Sequence, residues 1–337
     1  METLILKQTH DLEIAANILR QCGLVACPTE TVYGLCGNAL DEKVVENIFK
    51  AKGRPSDNPL IVHICSLDML EQLVLEVSDD AKKLMDAFWP GPLTLIFKSK
   101  DIIPLKTRGN LKTVAIRFPS NKIIVELIKK SKLPLAAPSA NISGKPSPTN
   151  IDRVIEDLYG KIDCIIDGGN CTIGLESTVV DVSSENMAIL RPGVITTTML
   201  KKIVPQINVP TNAEPIAPGM KYKHYAPFAN VVIVKGEQLE KIAIKIQELV
   251  IKDKLNKKRV GILIVDELMN YFDNIPVLSL GSINNLENIA SNLFEKLRQL
   301  DDLQLEQVYT IYLNDNNLGV SIMNRLVKAC NNQIIEN

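Results

Sequence analysis

Two cationic side chains separated by a single glycine are the first residues that could do chemistry. Lys52, Gly53 and Arg54 follow a predicted helix over residues 42–51, and Asn58 comes next on the same polar loop. An ammonium group beside a planar guanidinium fork suits an anion with several oxygens, such as a phosphate chain. The alternative is that both cations only offset the negative end of the helix.

A cluster of hydroxyl groups follows the apolar run at residues 24–27. Thr29 and Thr31 flank Glu30, and the segment ends at Gly34. Such a turn either caps its own backbone or presents its polar groups to a ligand. The sequence alone leaves both interpretations open.

Two residues with polar side chains interrupt apolar strands. Arg117 lies within a predicted strand over residues 114–118, and His63 lies within another over residues 60–64. An unpaired guanidinium in such a strand would be very costly, so Arg117 needs a carboxylate or phosphate partner from the protein or from a ligand. His63 is either a satisfied core residue or a functional group.

Small polar side chains are also concentrated in a loop that follows a predicted apolar strand. Ser139, Asn141 and Ser147 belong to this loop, and their hydroxyl and amide groups suit contacts with phosphate, ribose or adenine. The alternative is a surface turn before a helix that is capped by Thr149 or Asn150.

Ser177 and Arg191 add a hydroxyl and another cation near the ends of two further apolar runs. The chain contains neither a G-x-x-x-x-G-K-[ST] nor a G-x-G-x-x-G motif, which excludes the common nucleotide cradles. A serine hydrolase also lacks support, because no G-x-S-x-G motif occurs and only His10, His63 and His224 are available as bases.

Proline density divides the chain. Pro205, Pro210, Pro215, Pro218 and Pro227 fall within one short segment. Their fixed φ angles and missing N–H donors oppose a helix or a central strand, so the segment is predicted to be a linker.

The elements on either side of this linker predict two α/β domains. Residues 1–204 combine short apolar runs with helical periods, which favours a mixed sheet with flanking helices. Residues 205–229 form the predicted linker. Residues 230–337 alternate strand and helix regularly, which is typical of a small, Rossmann-like α/β domain.

Composition limits the classes of protein further. The chain has 337 residues, of which 46% are hydrophobic and 23% charged, so ordinary cores in two domains are expected. Lys and Arg total 38 against 39 Asp and Glu, which disfavours strong nucleic-acid binding.

Seven cysteines without a C-x-x-C pair predict reduced, mostly buried thiols. No segment suits a signal peptide or a membrane helix, so we expect a cytoplasmic protein without a membrane partner.

Taken in order, the motifs resemble the YrdC-type threonylcarbamoyl-AMP synthase family. The match runs over residues 10–200, and the peptide at residues 217–227, followed by an α/β domain, resembles the family's long, two-domain form. The motifs that carry the resemblance are PTETVYGL, KGRPSDNPLIVH, WPGPLT, VAIRFP, APSANISGKPSPT, GLESTVVD and LRPG. The resemblance implies a YrdC-like open, twisted mixed sheet in a catalytic first domain.

The resemblance also implies an activity, that of an L-threonylcarbamoyladenylate synthase. This nucleotidyltransferase condenses L-threonine, bicarbonate or carbon dioxide, and ATP, and it releases pyrophosphate. Lys52 and Arg54 would be the catalytic residues, and Arg117 would hold the threonine carboxylate. The implied ATP site comprises Lys52, Arg54, Asn58, Thr113, Ser139, Asn141, Ser147, Arg191 and Tyr225. The implied threonine site comprises Thr31, His63, Arg117, Ala137 and Ser177.

Further partners follow from the same resemblance. The product would feed threonylcarbamoyladenosine formation in tRNA through a downstream transferase complex. Mg²⁺ is expected to accompany ATP on phosphate oxygens and water, without a dedicated set of protein ligands. The linker, with His224 and Tyr225, is expected to fold over the first domain as a lid that excludes water.

Two other functions compete with this one. A carbamoyltransferase with a YrdC-like module would handle a carbamoyl-adenylate, but such proteins carry zinc-finger and acylphosphatase modules, for which this chain has neither C-x-x-C pairs nor the length. An RNA-binding YrdC-like module would place phosphate backbones on the loop of Lys52 and Arg54. The balanced charge and the aromatic content of 4% oppose that function.

Overall fold

The computed structural model of the chain describes residues 2–7, 11–210, 225–313 and 317–337. The chain divides into two compact units, Met1–Ser143 with Ser147–Tyr222, and Gly144–Pro146 with Lys223–Asn337. Both units combine helices and strands, which confirms the predicted α/β class and the second α/β domain. Residues 211–224 lie outside the described residues, and with them most of the predicted lid, including His224. The predicted domain limits at residues 204 and 229 stay predictions.

The first unit is built on a mixed sheet. Across the described residues it has ten strands in the order β1-β8-β2-β3-β7-β4-β6-β5-β9-β10. β4 pairs with β6 and β5 with β9 in parallel, whereas β5 and β6 are antiparallel. The strands are β1 Leu4–Lys7, β2 Val25–Cys27, β3 Gly34–Asn38, β4 Ile61–His63, β5 Leu93–Lys98, β6 Thr113–Arg117, β7 Leu135–Ala136, β8 Cys164–Asp167, β9 Thr178–Asp181 and β10 Ala188–Arg191.

Each helix of the first unit except Leu12–Arg20 begins where a short polar side chain caps the backbone. Asn150 accepts a hydrogen bond from the Arg153 amide at 3.1 Å, so one of the two predicted capping residues does cap the helix that follows the polar loop. The helices are α1 Leu12–Arg20, α2 Glu42–Lys52, α3 Leu67–Leu73, α4 Asp79–Phe88, α5 Lys122–Ser131, α6 Ile151–Leu158 and α7 Thr197–Ile203.

The sheet is buried on both faces. Ala26 packs into one apolar cluster, whereas its neighbours Val25 and Cys27 pack into another. Successive side chains of a strand point to opposite faces, so the two clusters lie on opposite sides of the sheet. Ile207, within the stretch predicted as linker, belongs to the first of these clusters.

The second unit has a parallel sheet whose strands alternate with helices. Over the described residues its order is β13-β12-β14-β11-β15, and each observed pairing is parallel. Parallel neighbours require crossover connections, which the helices supply. The elements are β11 Asn230–Lys235, α8 Leu239–Leu255, β12 Val260–Val265, a 3₁₀ helix Asp266–Tyr271, β13 Val277–Gly281, α9 Leu286–Asp302, β14 Gln307–Ile311, α10 Leu318–Ala329 and β15 Ile334–Glu336.

The cysteines are free thiols, and most of them are buried, as predicted. Burial raises the pKa of the Cys36, Cys164 and Cys171 thiols to about 12, which keeps them protonated near neutral pH. Cys22 is exposed and Cys65 is partly buried. In the part of the chain that the structure describes, no helix is both long and apolar enough to cross a membrane.

The N-terminal cap of α2, the helix that ends at Lys52, leads to a prediction about stability. Asp41 accepts hydrogen bonds from the amides of Lys43 at 2.9 Å and Val44 at 3.1 Å. We expect Asp41→Ala to lower the free energy of unfolding by about 1 kcal/mol, because two amides lose their acceptor. Urea unfolding followed by circular dichroism measures this change. Asp41→Asn is the matched control, since asparagine caps equally well, and equal losses in both variants would contradict the cap's role.

Candidate active site

Three neighbouring strands bring His63, Arg117 and Thr94 into one row. His63 on β4 is in register with Arg117 on β6, and Arg117 is in register with Thr94 on β5. Side chains in register on adjacent strands project from the same face of a sheet. Arg117 therefore lies between an imidazole and a hydroxyl.

The anionic partner that Arg117 requires is a carboxylate of the protein. Its side chain is only 4% exposed, and Nη2 lies 2.6 Å from Oε1 of Glu30. Nη1 donates to Oγ1 of Thr31 at 2.8 Å, and Nε donates to the carbonyl oxygen of Gly91 at 3.2 Å. All three guanidinium nitrogens thus face fixed protein groups.

The capping interpretation of the hydroxyl turn is confirmed, whereas its contact with a ligand stays a prediction. Oγ1 of Thr29 donates to the Val32 carbonyl at 2.7 Å and accepts from the amides of Thr31 and Val32, so it does cap its own backbone. The two hydroxyl oxygens of Thr29 and Thr31 are 2.8 Å apart. Because Thr29 already donates to Val32, the Thr31 hydroxyl donates to Thr29 and accepts from Arg117.

Burial and the Glu30–Arg117 ion pair together shift the pKa values of the titratable groups around this row. Burial alone would raise the pKa of Glu30, but the Arg117 charge and the hydrogen bonds to the carboxylate hold that pKa below its usual value. Burial, followed by the nearby Arg117 charge, lowers the pKa of His63 to about 3. The site thus contains a neutral imidazole beside a buried ion pair, and Nδ1 of His63 has no hydrogen-bond partner among the described residues.

Ser177 connects this row to Arg191. The hydroxyl oxygens of Ser177 and Thr94 are 2.7 Å apart. Nη2 of Arg191 donates to the Ser177 carbonyl at 2.9 Å and to its hydroxyl at 3.1 Å. A residue predicted for the threonine site therefore contacts one predicted for the ATP site.

Two other predicted residues lie on the segments around this row. The amide of Ala137 donates to the Ile61 carbonyl at 3.0 Å, which fixes the start of the polar loop beside β4. The hydroxyl of Ser147 donates to Oε1 of Glu176 at 2.6 Å, and Glu176 directly precedes Ser177. The polar loop is therefore joined to the Ser177 segment through a side-chain contact.

Lys52 is buried, and its ammonium group is bound by the polar loop. Nζ donates to the carbonyl oxygens of Ser139 and Asn141, the latter at 2.6 Å, and lies 3.5 Å from Oδ1 of Asn141. The Ser139 hydroxyl donates to the same Oδ1 at 2.5 Å. Gly53 adopts φ of 59°, a left-handed conformation that ends α2 directly after Lys52. The structure thus brings together three residues of the predicted ATP site.

The side-chain amide of Asn58, a residue that contacts Arg54, is a candidate ligand-binding group. Its side chain is fully buried, and within the described ranges neither Nδ2 nor Oδ1 has a hydrogen-bond partner. Nη2 of Arg54 donates to the Asn58 carbonyl at 3.4 Å and to the Pro59 carbonyl at 3.3 Å. Buried amides are nearly always paired, so the Asn58 amide points to a ligand or an ordered water.

The remaining two predicted residues occupy separate places. Thr113 begins β6, in register with Lys98. Tyr225 belongs to the second unit, where its ring stacks on Phe294 with centroids 5.0 Å apart. Its contact with ATP stays a prediction.

Sequence reasoning missed Glu30, Thr94 and Glu176 as members of the site. A signal for Glu30 was available, because Arg117 required a buried anion and Glu30 stands in the hydroxyl turn. Thr94 and Glu176 become visible only through strand register and loop contacts.

Among the described residues no group of three or more His, Cys, Asp and Glu side chains is arranged to hold a metal ion. The donors that do converge are cations, hydroxyls and amides, which suit anionic oxygens.

Comparison with known proteins gives matches along nearly the whole chain. Residues 17–193 match the Sua5/YciO/YrdC family model, described as telomere recombination, and residues 195–331 match the threonylcarbamoyl-AMP synthase C-terminal domain. Threonylcarbamoyl-AMP synthase of Pyrococcus abyssi is 45% identical over 331 residues, which cover 96% of this chain and 95% of that protein. The Bacillus subtilis synthase is 43% identical over 335 residues, which cover 97% of this chain and 95% of that protein.

A solved structure is also similar over the full length. The crystal structure of P. abyssi Sua5 complexed with L-threonine superposes with a TM-score of 0.94 at 43% identity, and the match covers 100% of both chains. The chain therefore belongs to the Sua5/YciO/YrdC family and, because its second domain also matches, to the long, two-domain threonylcarbamoyl-AMP synthases.

The buried His63 leads to a prediction about its protonation. An imidazole with a pKa of about 3 stays neutral from pH 8 to pH 5, whereas an ordinary histidine titrates near 6.5. NMR titration of the imidazole signals measures this, with His63→Gln identifying the signal. Because the unfolded chain binds a proton below pH 6.5 and folded His63 does not, this residue lowers stability as the pH falls from 6.5 towards 3. A midpoint above pH 6 for the His63 signal would contradict the proposed neutral site.

Proposed function

We propose that the chain is an L-threonylcarbamoyladenylate synthase that uses L-threonine, bicarbonate or carbon dioxide, and ATP. The threonine amine attacks carbon dioxide and loses a proton to give a carbamate. A carbamate oxygen then attacks the α-phosphorus of ATP, and the bond to the β-phosphate bridging oxygen breaks. The products are threonylcarbamoyl-AMP and pyrophosphate. Full-length similarity to curated synthases supports this reaction.

One observation carries the proposal most directly: a buried, oriented guanidinium beside a neutral imidazole and several hydroxyls. A guanidinium has five N–H donors, and the contacts of Arg117 with Glu30, Thr31 and Gly91 leave donors for a substrate carboxylate. In this proposal Thr31, His63, Arg117, Ala137 and Ser177 form the threonine pocket. The L-threonine complex of P. abyssi Sua5 supports threonine as the amino acid.

The nucleotide site is proposed on the neighbouring polar loops. In this proposal Arg54 and the side-chain amide of Asn58 contact the triphosphate. The ammonium group of Lys52, which donates to the carbonyl oxygens of the polar loop, supplies a positive charge close to it. Arg191 lies between the two substrates through its contacts with Ser177. The remaining proposed ATP contacts are Thr113, Ser139, Asn141, Ser147 and Tyr225.

Catalysis in this proposal is mainly positioning and charge neutralisation. Holding the carbamate and the α-phosphorus in line turns a bimolecular step into one within a complex. Arg54 and Lys52 stabilise the charge that develops on the departing pyrophosphate. Mg²⁺ bound to the triphosphate would neutralise further charge, and its ligands in this proposal are phosphate oxygens and water.

The proposed setting is the cytoplasm, where the product would pass to a transferase that modifies tRNA. The adenylate is a mixed anhydride that water hydrolyses, so rapid transfer to the next enzyme protects it. In our proposal the chain itself needs no RNA for its reaction, consistent with its balanced charge.

Omitting each substrate in turn tests the reaction. We expect purified protein with Mg²⁺ and ATP to release pyrophosphate only when both L-threonine and bicarbonate are present. A coupled phosphate assay after pyrophosphatase treatment measures the release, and heat-denatured protein is the control. Release that continues without either substrate would refute the proposed reaction.

Substitutions in the two pockets should separate the substrates. We expect Arg117→Ala to raise the KM for threonine by about 100-fold while the KM for ATP changes by less than about threefold, because the lost contact is to the threonine carboxylate. Arg54→Ala and Lys52→Ala should raise the KM for ATP by about tenfold or more. Initial rates of pyrophosphate release give both constants. The reverse pattern would mean that the two pockets are exchanged.

A further inference from the structure

The carboxylate of Glu30 lies in an environment made of hydrogen-bond donors. Oε1 contacts Nη2 of Arg117 at 2.6 Å and accepts from the Ser120 amide at 3.1 Å. Oε2 accepts from the Asn121 amide at 3.4 Å. The residue is buried, so water cannot replace a lost partner easily. Only a side chain that accepts at both oxygens satisfies these donors.

The backbone of Glu30 is fixed as well. Its carbonyl oxygen accepts from the Ile173 amide at 2.8 Å and from Oγ1 of Thr172 at 3.4 Å. The next residue, Thr31, supplies the hydroxyl that receives Nη1 of Arg117. The anchored segment therefore holds the guanidinium at two points.

The ion pair leaves donors of Arg117 unused. Nη2 lies 2.6 Å from Oε1 of Glu30, Nη1 donates to Thr31 and Nε donates to Gly91. A guanidinium has five N–H donors, so these three contacts leave one N–H on each terminal nitrogen for another acceptor. The ion pair therefore fixes the position of the guanidinium without using all of its donors.

We propose that Glu30 is a positioning residue for the amino-acid substrate: it holds the Arg117 guanidinium in the orientation that receives the substrate carboxylate. This inference rests on the proposed function, since it takes Arg117 as the carboxylate-binding group. Glu30 does not contact the reacting atoms in this scheme. The two carboxylates lie on the same guanidinium, one permanent and one delivered with the substrate.

The substitution Glu30→Gln tests the all-acceptor requirement. A glutamine places an NH₂ group against Arg117 or against a backbone amide, so two donors would face each other and the guanidinium would turn away. We expect the KM for L-threonine to rise by at least about tenfold, with the KM for ATP and kcat at saturating threonine within about threefold. Initial rates of pyrophosphate release provide all three values.

L-Threoninamide distinguishes positioning from a general loss of structure. It lacks the carboxylate, so its inhibition constant as a competitor of threonine should change by less than about twofold in Glu30→Gln. A variant that loses threonine and threoninamide affinity equally would overturn the inference. So would a variant whose KM for threonine is unchanged.

Two further variants keep the test decisive. Glu30→Asp keeps the charge and both acceptors but is shorter, and we expect it to raise the KM for threonine about threefold to tenfold. It decides the question if Glu30→Gln does not fold, and wild-type behaviour in Glu30→Asp would then overturn the inference. Glu76→Gln is the matched control, because it removes an exposed ion pair with Lys98 and should leave both KM values unchanged.

Failure of this inference and failure of the proposed function give different results. If the wild-type chain releases no pyrophosphate with threonine, bicarbonate and ATP, the proposed function fails. If the wild-type chain is active and Glu30→Gln keeps its response to threonine, only the role of Glu30 is refuted.

Discussion

A buried guanidinium is the constraint on which the first unit depends. Arg117 places a permanent charge on a strand whose other residues are mostly apolar and buried. Such a charge is tolerated only with a paired anion and hydrogen-bond acceptors. Glu30, Thr31 and the Gly91 carbonyl satisfy this requirement from two other segments. Folding those segments onto β6 is therefore a condition for burying β6 at all.

The turn that meets Arg117 also borders the polar loop of the proposed ATP site. The Tyr33 amide donates to the Pro148 carbonyl, and the Leu35 amide donates to the Pro138 carbonyl. The Ala140 amide in turn donates to the Tyr33 carbonyl. One backbone segment is thus shared by the proposed threonine and nucleotide pockets. In the proposed reaction the two substrates would both contact this hydrogen-bonded segment. Their positions relative to each other would therefore be set by the same backbone.

The sequence predicted the chemistry of the site better than its pairings. The requirement of Arg117 for an anion followed from burial alone, and the regular alternation of the second domain followed from periodicity. The partner Glu30 was not identified, because the two residues are far apart in the chain and meet only when the turn after β2 folds against the end of β6. β3 was also missed, since Gly34–Asn38 lacks β-branched residues and is a strand because β2 and β7 flank it.

The contacts of Lys52 change how a loss of function at this position is to be read. Its ammonium group binds oxygens of Ser139 and Asn141, much as a bound metal cation organises a loop from within. Removing it would leave carbonyl oxygens of a buried loop without their cation, whether or not the ammonium ever meets a phosphate. Position 52 therefore reports on the architecture of the loop and on ligand charge together.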